Sequence, residues 1–172
     1  MNYKETFANI TTLLFDVDGV LTNGEVILMP GAAPVRKMNS RDGYALQLAI
    51  RNGFRVGIIT GGSSEEVKSR LQELGIQDIY LRSRHKMEPY EDFKMCYDLK
   101  DEEILYMGDD LPDYDVMKVV ALAAAPQDAA PEIKSIAHYV SPVKGGEGCV
   151  RDVIEQLLRV HGKWGRPEDR TW

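Results

Sequence analysis

Cysteine is scarce in this chain. Cys96 and Cys149 are the only two in 172 residues and form no C-x-x-C or zinc-like spacing, which excludes a disulfide scaffold and a cysteine-built metal site. Two isolated thiols in an acidic chain fit a reducing compartment, so a cytoplasmic location is expected. Positive charge is in deficit as well: 21 Lys and Arg stand against 27 Asp and Glu, a formal charge of -6 with a sequence pI near 5.1. That balance argues against a nucleic-acid partner or a membrane surface, and an anionic substrate has to meet local rather than global positive charge. No apolar run approaches the length of a membrane span, and Met1 to Ile10 carries Lys4 and Glu5 without the apolar centre of a signal peptide. Internal repeats and low-complexity tracts are absent too.

What the chain does have is regular alternation. At 44% hydrophobic it has enough apolar material for one core, and a single domain over residues 1–161 is the simplest division. Strand-like runs fall at Thr12 to Phe15, Val56 to Ile59, Ile79 to Leu81, Ile104 to Met107, Ala121 to Ala124 and Tyr139 to Val140, with helical patterns between them. This order predicts an α/β fold with a doubly wound, mostly parallel sheet. Gly43 to Asn52 and Glu65 to Leu74 read as helices stopped by Gly53 and Gly75, and Val150, Val153, Ile154, Leu157 and Leu158 form the apolar stripe of a last helix ended by Gly162. Between Gly24 and Asn39, Val26 to Met29 and Val35 to Met38 flank Pro30-Gly31, the pattern of a projecting β-hairpin. Residues 162–172 lack periodicity and are expected to be mobile, with Trp164 and Trp172 free to dock on a neighbour.

Three of the apolar runs end in chemically loaded residues. Leu13-Leu14-Phe15 leads into Asp16-Val17-Asp18-Gly19-Val20-Leu21-Thr22, Val56 to Ile59 into Thr60-Gly61-Gly62, and Ile104 to Met107 into Gly108-Asp109-Asp110-Leu111-Pro112-Asp113. The carboxyl ends of parallel strands form the ligand crevice of an open sheet, and i, i+2 alternation turns Asp16 and Asp18 to one side. Two carboxylates so close need a compensating cation or a shared proton, and a bound divalent metal is the natural expectation. The competing reading of D-x-D alone is an N-capping Asp before a turn. Lys86 lies between the second and third of these runs, at the start of the amphipathic stretch Tyr90, Phe93, Met95, Tyr97. A carboxylate pair, a hydroxyl, an ammonium and a second acidic cluster together suit a phosphoryl group.

This ordered set resembles the haloacid dehalogenase superfamily of phosphotransferases over nearly the whole chain. The resemblance implies that Asp16 is the nucleophile and Asp18 the general acid/base, that Thr60, Gly61 and Lys86 bind the phosphoryl group, and that Mg2+ is held by the carboxylates of Asp16 and Asp109 and the main-chain carbonyl of Asp18. Asp110 and Asp113 then position their neighbours. The hairpin is too short for a lid, and Thr60 to Lys86 is filled by one helix and one strand, so the site resembles those of capless members. In these a hairpin builds a homotetramer and a Gly-rich segment completes a neighbour's site, a part that Lys144-Gly145-Gly146-Glu147-Gly148 would take; the other reading is a flexible turn before the last helix.

Within that group, Asn39-Ser40-Arg41-Asp42-Gly43-Tyr44 and Gly145-Gly146-Glu147-Gly148-Cys149-Val150-Arg151 are similar to the family that hydrolyses 3-deoxy-D-manno-octulosonate 8-phosphate, a lipopolysaccharide precursor. Relatives acting on nonulosonate 9-phosphates share the catalytic motifs but usually lack R-D-G-Y. Ala33-Pro34 and Gly62 depart from the family pattern, the first touching assembly and the second substrate selection. Arg41, Arg70 and Arg151 are candidates for the substrate's carboxylate or phosphate, since a guanidinium offers a planar fork. Arg70 also reads as a solvated helix residue, and His85 as a polar loop residue or substrate contact. Two other classes compete. A phosphorylated receiver domain needs an acceptor Asp on a central strand, where this chain has Thr60; a non-catalytic module would not need every catalytic position filled.

Overall fold

The computed structural model describes residues 3–172; Met1 and Asn2, the start of the Met1 to Ile10 segment read above, lie outside the described residues. Strands β1 (Thr12–Phe15), β2 (Arg55–Ile59), β3 (Asp78–Tyr80), β4 (Ile104–Met107), β5 (Leu122–Ala125) and β6 (Tyr139–Val140) form one parallel sheet in the order β3-β2-β1-β4-β5-β6. The chain winds outward from β1 through β2 and β3, then returns to β1's other side and winds outward again from β4. The winding direction therefore reverses between β1 and β4, the place where an open α/β sheet splays to admit a ligand.

Alternation along each strand divides the core into two. Leu13, Phe15, Leu105, Met107, Leu122 and Ala124 face α1 (Tyr3–Phe7), α2 (Ser40–Arg51), α3 (Glu65–Glu73) and α7 (Cys149–Val160). Leu14, Ile104, Tyr106, Ala123 and Ala125 face α4 (Met87–Tyr97), α5 (Tyr114–Val119) and α6 (Pro131–Ile136) on the other side. The stripe of α7 is fully buried at Val150, Val153, Ile154, Leu157 and Leu158, and each such side chain contributes roughly 1.5–3 kcal/mol. Among the described residues no helix is long and apolar enough to cross a membrane.

Several boundaries differ from the sequence reading. α2 starts at Ser40 rather than Gly43, because the Asn39 side chain accepts from Arg41 N at 2.8 Å and caps the helix earlier than its apolar face begins. β3 and β5 sit one residue earlier and one later than expected, set by pairing with β2 and β4. The hairpin is reduced to a single antiparallel bridge, Ile27 with Val35, each N–H reaching the other's carbonyl at 3.0 Å. Val26, Ile27, Leu28, Met29 and Val35 are all exposed there, so these apolar side chains find no burial in their own chain that would extend the ladder.

The C-terminal segment, expected to be mobile, is packed. Trp164 lies against the core, Pro167–Arg170 makes a 3-10 turn, and Tyr44 OH donates to the carbonyl of buried Asp169. Arg166 Nη2 reaches Asn52 Oδ1 at 2.7 Å and Arg51 Nη2 reaches Thr171 O at 3.1 Å. These anchors are polar and distant in sequence, so no periodicity announces them.

Candidate active site

Asp16 is the first residue beyond β1, and its N–H donates to Met107 O on β4 at 3.0 Å, so it sits at the point where the winding reverses. Its Oδ1 accepts from Val17 N at 2.7 Å and its Oδ2 meets Lys86 Nζ at 2.9 Å. Lys86 stands at the N-terminus of α4 and also reaches Asp113 Oδ1 at 2.7 Å. Asp113 is fully satisfied: Tyr106 OH donates to Oδ1 at 2.6 Å, and the N–H groups of Asp109 and Asp110 donate to Oδ2 at 3.0 and 3.3 Å. Asp113 is therefore a strut that fixes Lys86 and the Asp109 loop. Thr60 is buried at the end of β2, where its Oγ1 accepts from Gly62 N at 3.1 Å. A cavity of about 430 Å³ joins Asp16, Asp18, Thr60, Gly61, Lys86, Asp109, Asp110 and Asp113.

Asp18 reaches this cavity by a different route from the one expected. The chain leaves the strand at Asp16 and turns, with the N–H groups of Val20, Leu21 and Thr22 all directed at Val17 O, so a turn rather than strand alternation brings Asp18 round. Gly19 makes the turn at φ +87°, and a Cβ there would lie 2.0 Å from Asp109 Oδ2. The Asp18 carboxylate is held by Arg36, Nε to Oδ1 at 2.7 Å and Nη2 to Oδ2 at 3.2 Å. Arg36, Ser83 and Arg84 were not singled out from the sequence. Arg36 comes from the hairpin, and Ser83 and Arg84 line the cavity from the loop before Lys86; nothing in local pattern marks them.

Electrostatics fit a cation. Ligand atoms of Asp16, Asp109 and Asp113 lie within 4.8 Å of one another, with the Lys86 ammonium bridging Asp16 and Asp113. Burial pushes the Asp16 carboxyl up to about 7, with Asp113 adding to the rise and Lys86 opposing it. Burial raises Asp109 to about 8, reinforced by the charges of Asp16 and Asp113. Burial alone would lower the Lys86 ammonium, but Asp113 and Asp16 outweigh it and hold it above its ordinary value. An excess of buried carboxylate, all oxygen donors, suits a hard divalent cation.

Other expected residues fall elsewhere. Asp110 is exposed at the cavity edge and caps the turn Leu111–Asp113 through Leu111 N at 2.8 Å. Arg41, Arg70 and Arg151 do not line the catalytic cavity of their own chain. The backbone of Arg41 completes the α2 cap and its side chain is exposed; Arg70 pairs with Glu73 at 3.3 Å beside a second cavity under the hairpin; Arg151 stacks on Trp164 at 4.7 Å. His85 is exposed.

The Gly-rich stretch, which the resemblance gives to a neighbour's site and the residues alone to a turn before the last helix, packs within its own chain on the turn that carries Asp18. Gly146 N donates to Val20 O at 3.0 Å and Gly145 N to Asp128 Oδ1 at 2.9 Å; a Cβ on Gly145 would lie 1.9 Å from Gly19 O. Gly145→Ala is therefore expected to displace the Asp16 to Thr22 turn. Steady-state assays should show losses of similar size, on the order of 10²-fold, for a sugar phosphate and for a small generic ester, because misplacing reacting groups by about 1 Å costs that much. A loss confined to the larger substrate would assign the segment to enclosure instead.

An acid, ammonium and hydroxyl cluster at the carboxyl ends of adjacent parallel strands is the layout of an α/β phosphatase. Residues 76–153 match the model of the haloacid dehalogenase-like hydrolases. The 3-deoxy-D-manno-octulosonate 8-phosphate phosphatase of Yersinia pestis is 36% identical over 156 residues, 91% of this chain and 83% of that protein, and the Escherichia coli K12 enzyme is 37% identical over 90% and 82%. The crystal structure of the Yersinia pestis enzyme superposes with a TM-score of 0.91 at 35% identity, covering 93% of this chain and 86% of the other. That of the Moraxella catarrhalis enzyme, in complex with magnesium, phosphate and KDO, gives 0.90 at 28% identity over 93% and 92%. The chain belongs to the haloacid dehalogenase-like hydrolases and is a phosphatase of the capless kind.

Proposed function

We propose that this phosphatase hydrolyses 3-deoxy-D-manno-octulosonate 8-phosphate to the free sugar acid and inorganic phosphate, with Mg2+ as the cation. The observation that carries the chemistry is Lys86 Nζ held between Asp16 and Asp113 at 2.9 and 2.7 Å, a buried cation beside a strand-end carboxylate in a cavity that no lid covers. The substrate rests on likeness to the relatives named above. Asp16 and Asp109 would hold the metal together with the carbonyl of Asp18, and the bound cation would draw negative charge from the phosphoryl oxygens.

Asp16 Oδ2 attacks phosphorus; a bond forms to the carboxylate as the ester oxygen leaves, and Asp18 gives that oxygen its proton. Asp18 then takes a proton from water, whose oxygen attacks the acyl phosphate, freeing inorganic phosphate and restoring Asp16. Lys86 and Thr60 hold the equatorial oxygens, where one good preorganised donor contributes on the order of 3 kcal/mol. Assembly into a homotetramer through the exposed apolar hairpin belongs to the same reading, as does a cytoplasmic setting for the unpaired Cys96 and Cys149.

Phosphate release from a panel of sugar phosphates tests this. With Mg2+ the octulosonate 8-phosphate is expected to exceed a nonulosonate 9-phosphate in kcat/KM by about tenfold or more, the scale of discrimination available to one altered set of contacts. Chelation should stop release and added Mg2+ restore it, and Asp109→Ala should weaken Mg2+ binding by calorimetry. Preference for the nonulosonate ester would replace the substrate; full activity in metal-free buffer would remove the metal.

A further inference from the structure

Arg36 lies 18 positions from Asp18 in sequence and meets it edge-on through two nitrogens. The two carboxylate oxygens are not held alike. Oδ1 takes Arg36 Nε at 2.7 Å and also Thr22 Oγ1 at 3.5 Å, while Oδ2 has only Nη2 at 3.2 Å. Oδ1 is thus the more heavily bonded oxygen, and Oδ2, held by one N–H, lies on the side of Gly62 and Thr60. Position 62 borders the pair: a Cβ on Gly62 would make ordinary contacts, 3.6 Å from Asp18 Oδ2 and 3.9 Å from Arg36 Nη2. The Arg36 side chain is only 14% exposed although it springs from an exposed hairpin, so it is folded inward onto the site. It also lines the second cavity, of about 410 Å³, between the hairpin and the start of α3.

The geometry points to Arg36 as a positioning residue for the leaving-group step: its fork fixes the Asp18 carboxyl so that Oδ2 faces the departing ester oxygen, making the hairpin part of the catalytic apparatus. This rests on the acid role of Asp18 given above. A carboxyl free to rotate would spend most of its time misdirected, whereas one gripped through its plane by a guanidinium keeps a single orientation. A point charge at the same place would not impose a plane.

Leaving groups of different basicity read this directly. Departure of an alkoxide needs a proton and departure of a nitrophenolate does not, and kcat/KM reports only steps up to that departure, so the later use of Asp18 on water does not enter. For Arg36→Gln, kcat/KM toward the alkyl sugar phosphate is expected to fall on the order of 10²-fold, the lower range for a positioned acid, with p-nitrophenyl phosphate changing less than about threefold. The unaffected aryl ester reports that the variant is folded. Arg36→Lys is expected to match the Gln variant, and recovery to wild type would transfer the effect from orientation to charge and overturn the proposal. Equal losses on both esters, or no loss on either, would overturn it as well. Asp18→Asn serves as reference. If it shows the same leaving-group dependence and Arg36→Gln does not, Arg36 alone loses its role; if Asp18→Asn lacks it, the acid assignment of Asp18 falls and that of Arg36 with it.

Discussion

Asp16→Asn is expected to lower turnover of every phosphate ester by on the order of 10⁴-fold or more, since on the proposed mechanism it removes the nucleophile and with it the whole covalent route rather than one contact. The amide is nearly isosteric and keeps an acceptor for Val17 N, but it lacks a nucleophilic oxygen and turns an N–H toward Lys86 Nζ where Oδ2 stood at 2.9 Å. The fold should survive. Asp16 is one of three clustered carboxylates, and burial with the neighbouring Asp113 already disfavours its charged form, so neutralising it relieves repulsion. Melting temperature in metal-free buffer is accordingly expected to be unchanged or higher, and acid-quenched wild-type protein, but not the variant, should carry a phosphoryl adduct by intact mass. Residual turnover above about 1% of wild type in contaminant-free protein would take the nucleophilic role from Asp16.

Lys86→Met has the opposite consequence for stability. Lys86 Nζ is bonded to Asp16 and Asp113 and its side chain is 3% exposed, so an apolar replacement leaves Asp16, Asp109 and Asp113 without their shared ammonium. Deleting one partner of a buried charge set costs about 3–5 kcal/mol, which in a domain of this size lowers the melting temperature by roughly 10 °C. Turnover should fall with it, because the phosphoryl oxygens lose a fixed cation. A divalent cation at the same carboxylates should return part of the lost stability, and more of it than the same ion gives to wild type. Calorimetric scans with and without Mg2+ measure both effects; a variant as stable as wild type without metal would mean that the cluster relaxes or protonates at little cost.

The catalytic cluster was legible in the sequence to the extent that its members terminate strands. Asp16 and Thr60 follow an apolar run directly and Asp109 follows one after Gly108, and a parallel sheet gathers such ends at one edge, so strand recognition alone placed them together. Lys86 was legible from its motif and its place before α4. For Arg41, Arg70 and Arg151 local pattern decides little: a guanidinium reaches far from its Cα, so sequence position constrains its head group weakly. Arg70 and Arg151 found nearer partners in Glu73, Glu155 and Trp164. Arg36 met Asp18 instead, through a loop whose path no periodic pattern encodes. For the Gly-rich stretch the sequence leaves a neighbour's site and a plain turn both open, and the packed fold shows close approach to the chain's own turn at Gly19.

By itself the sequence determined the α/β class, the six strands and the strand-end acids, because hydrophobic periodicity and turn chemistry act over a few residues and depend little on the rest of the chain. Tertiary structure alone decided how Asp18 is oriented, which Arg serves it, that Asp113 braces Lys86 and Tyr106, and that the C-terminal segment docks on α2. Each of these rests on a polar contact between residues far apart in the chain, whose geometry is set by where the packed helices and loops carry side-chain ends, and such contacts are directional over about 3 Å. Local pattern carries the apolar framework; it does not carry the ångström-scale convergence of polar groups that makes this framework a phosphatase.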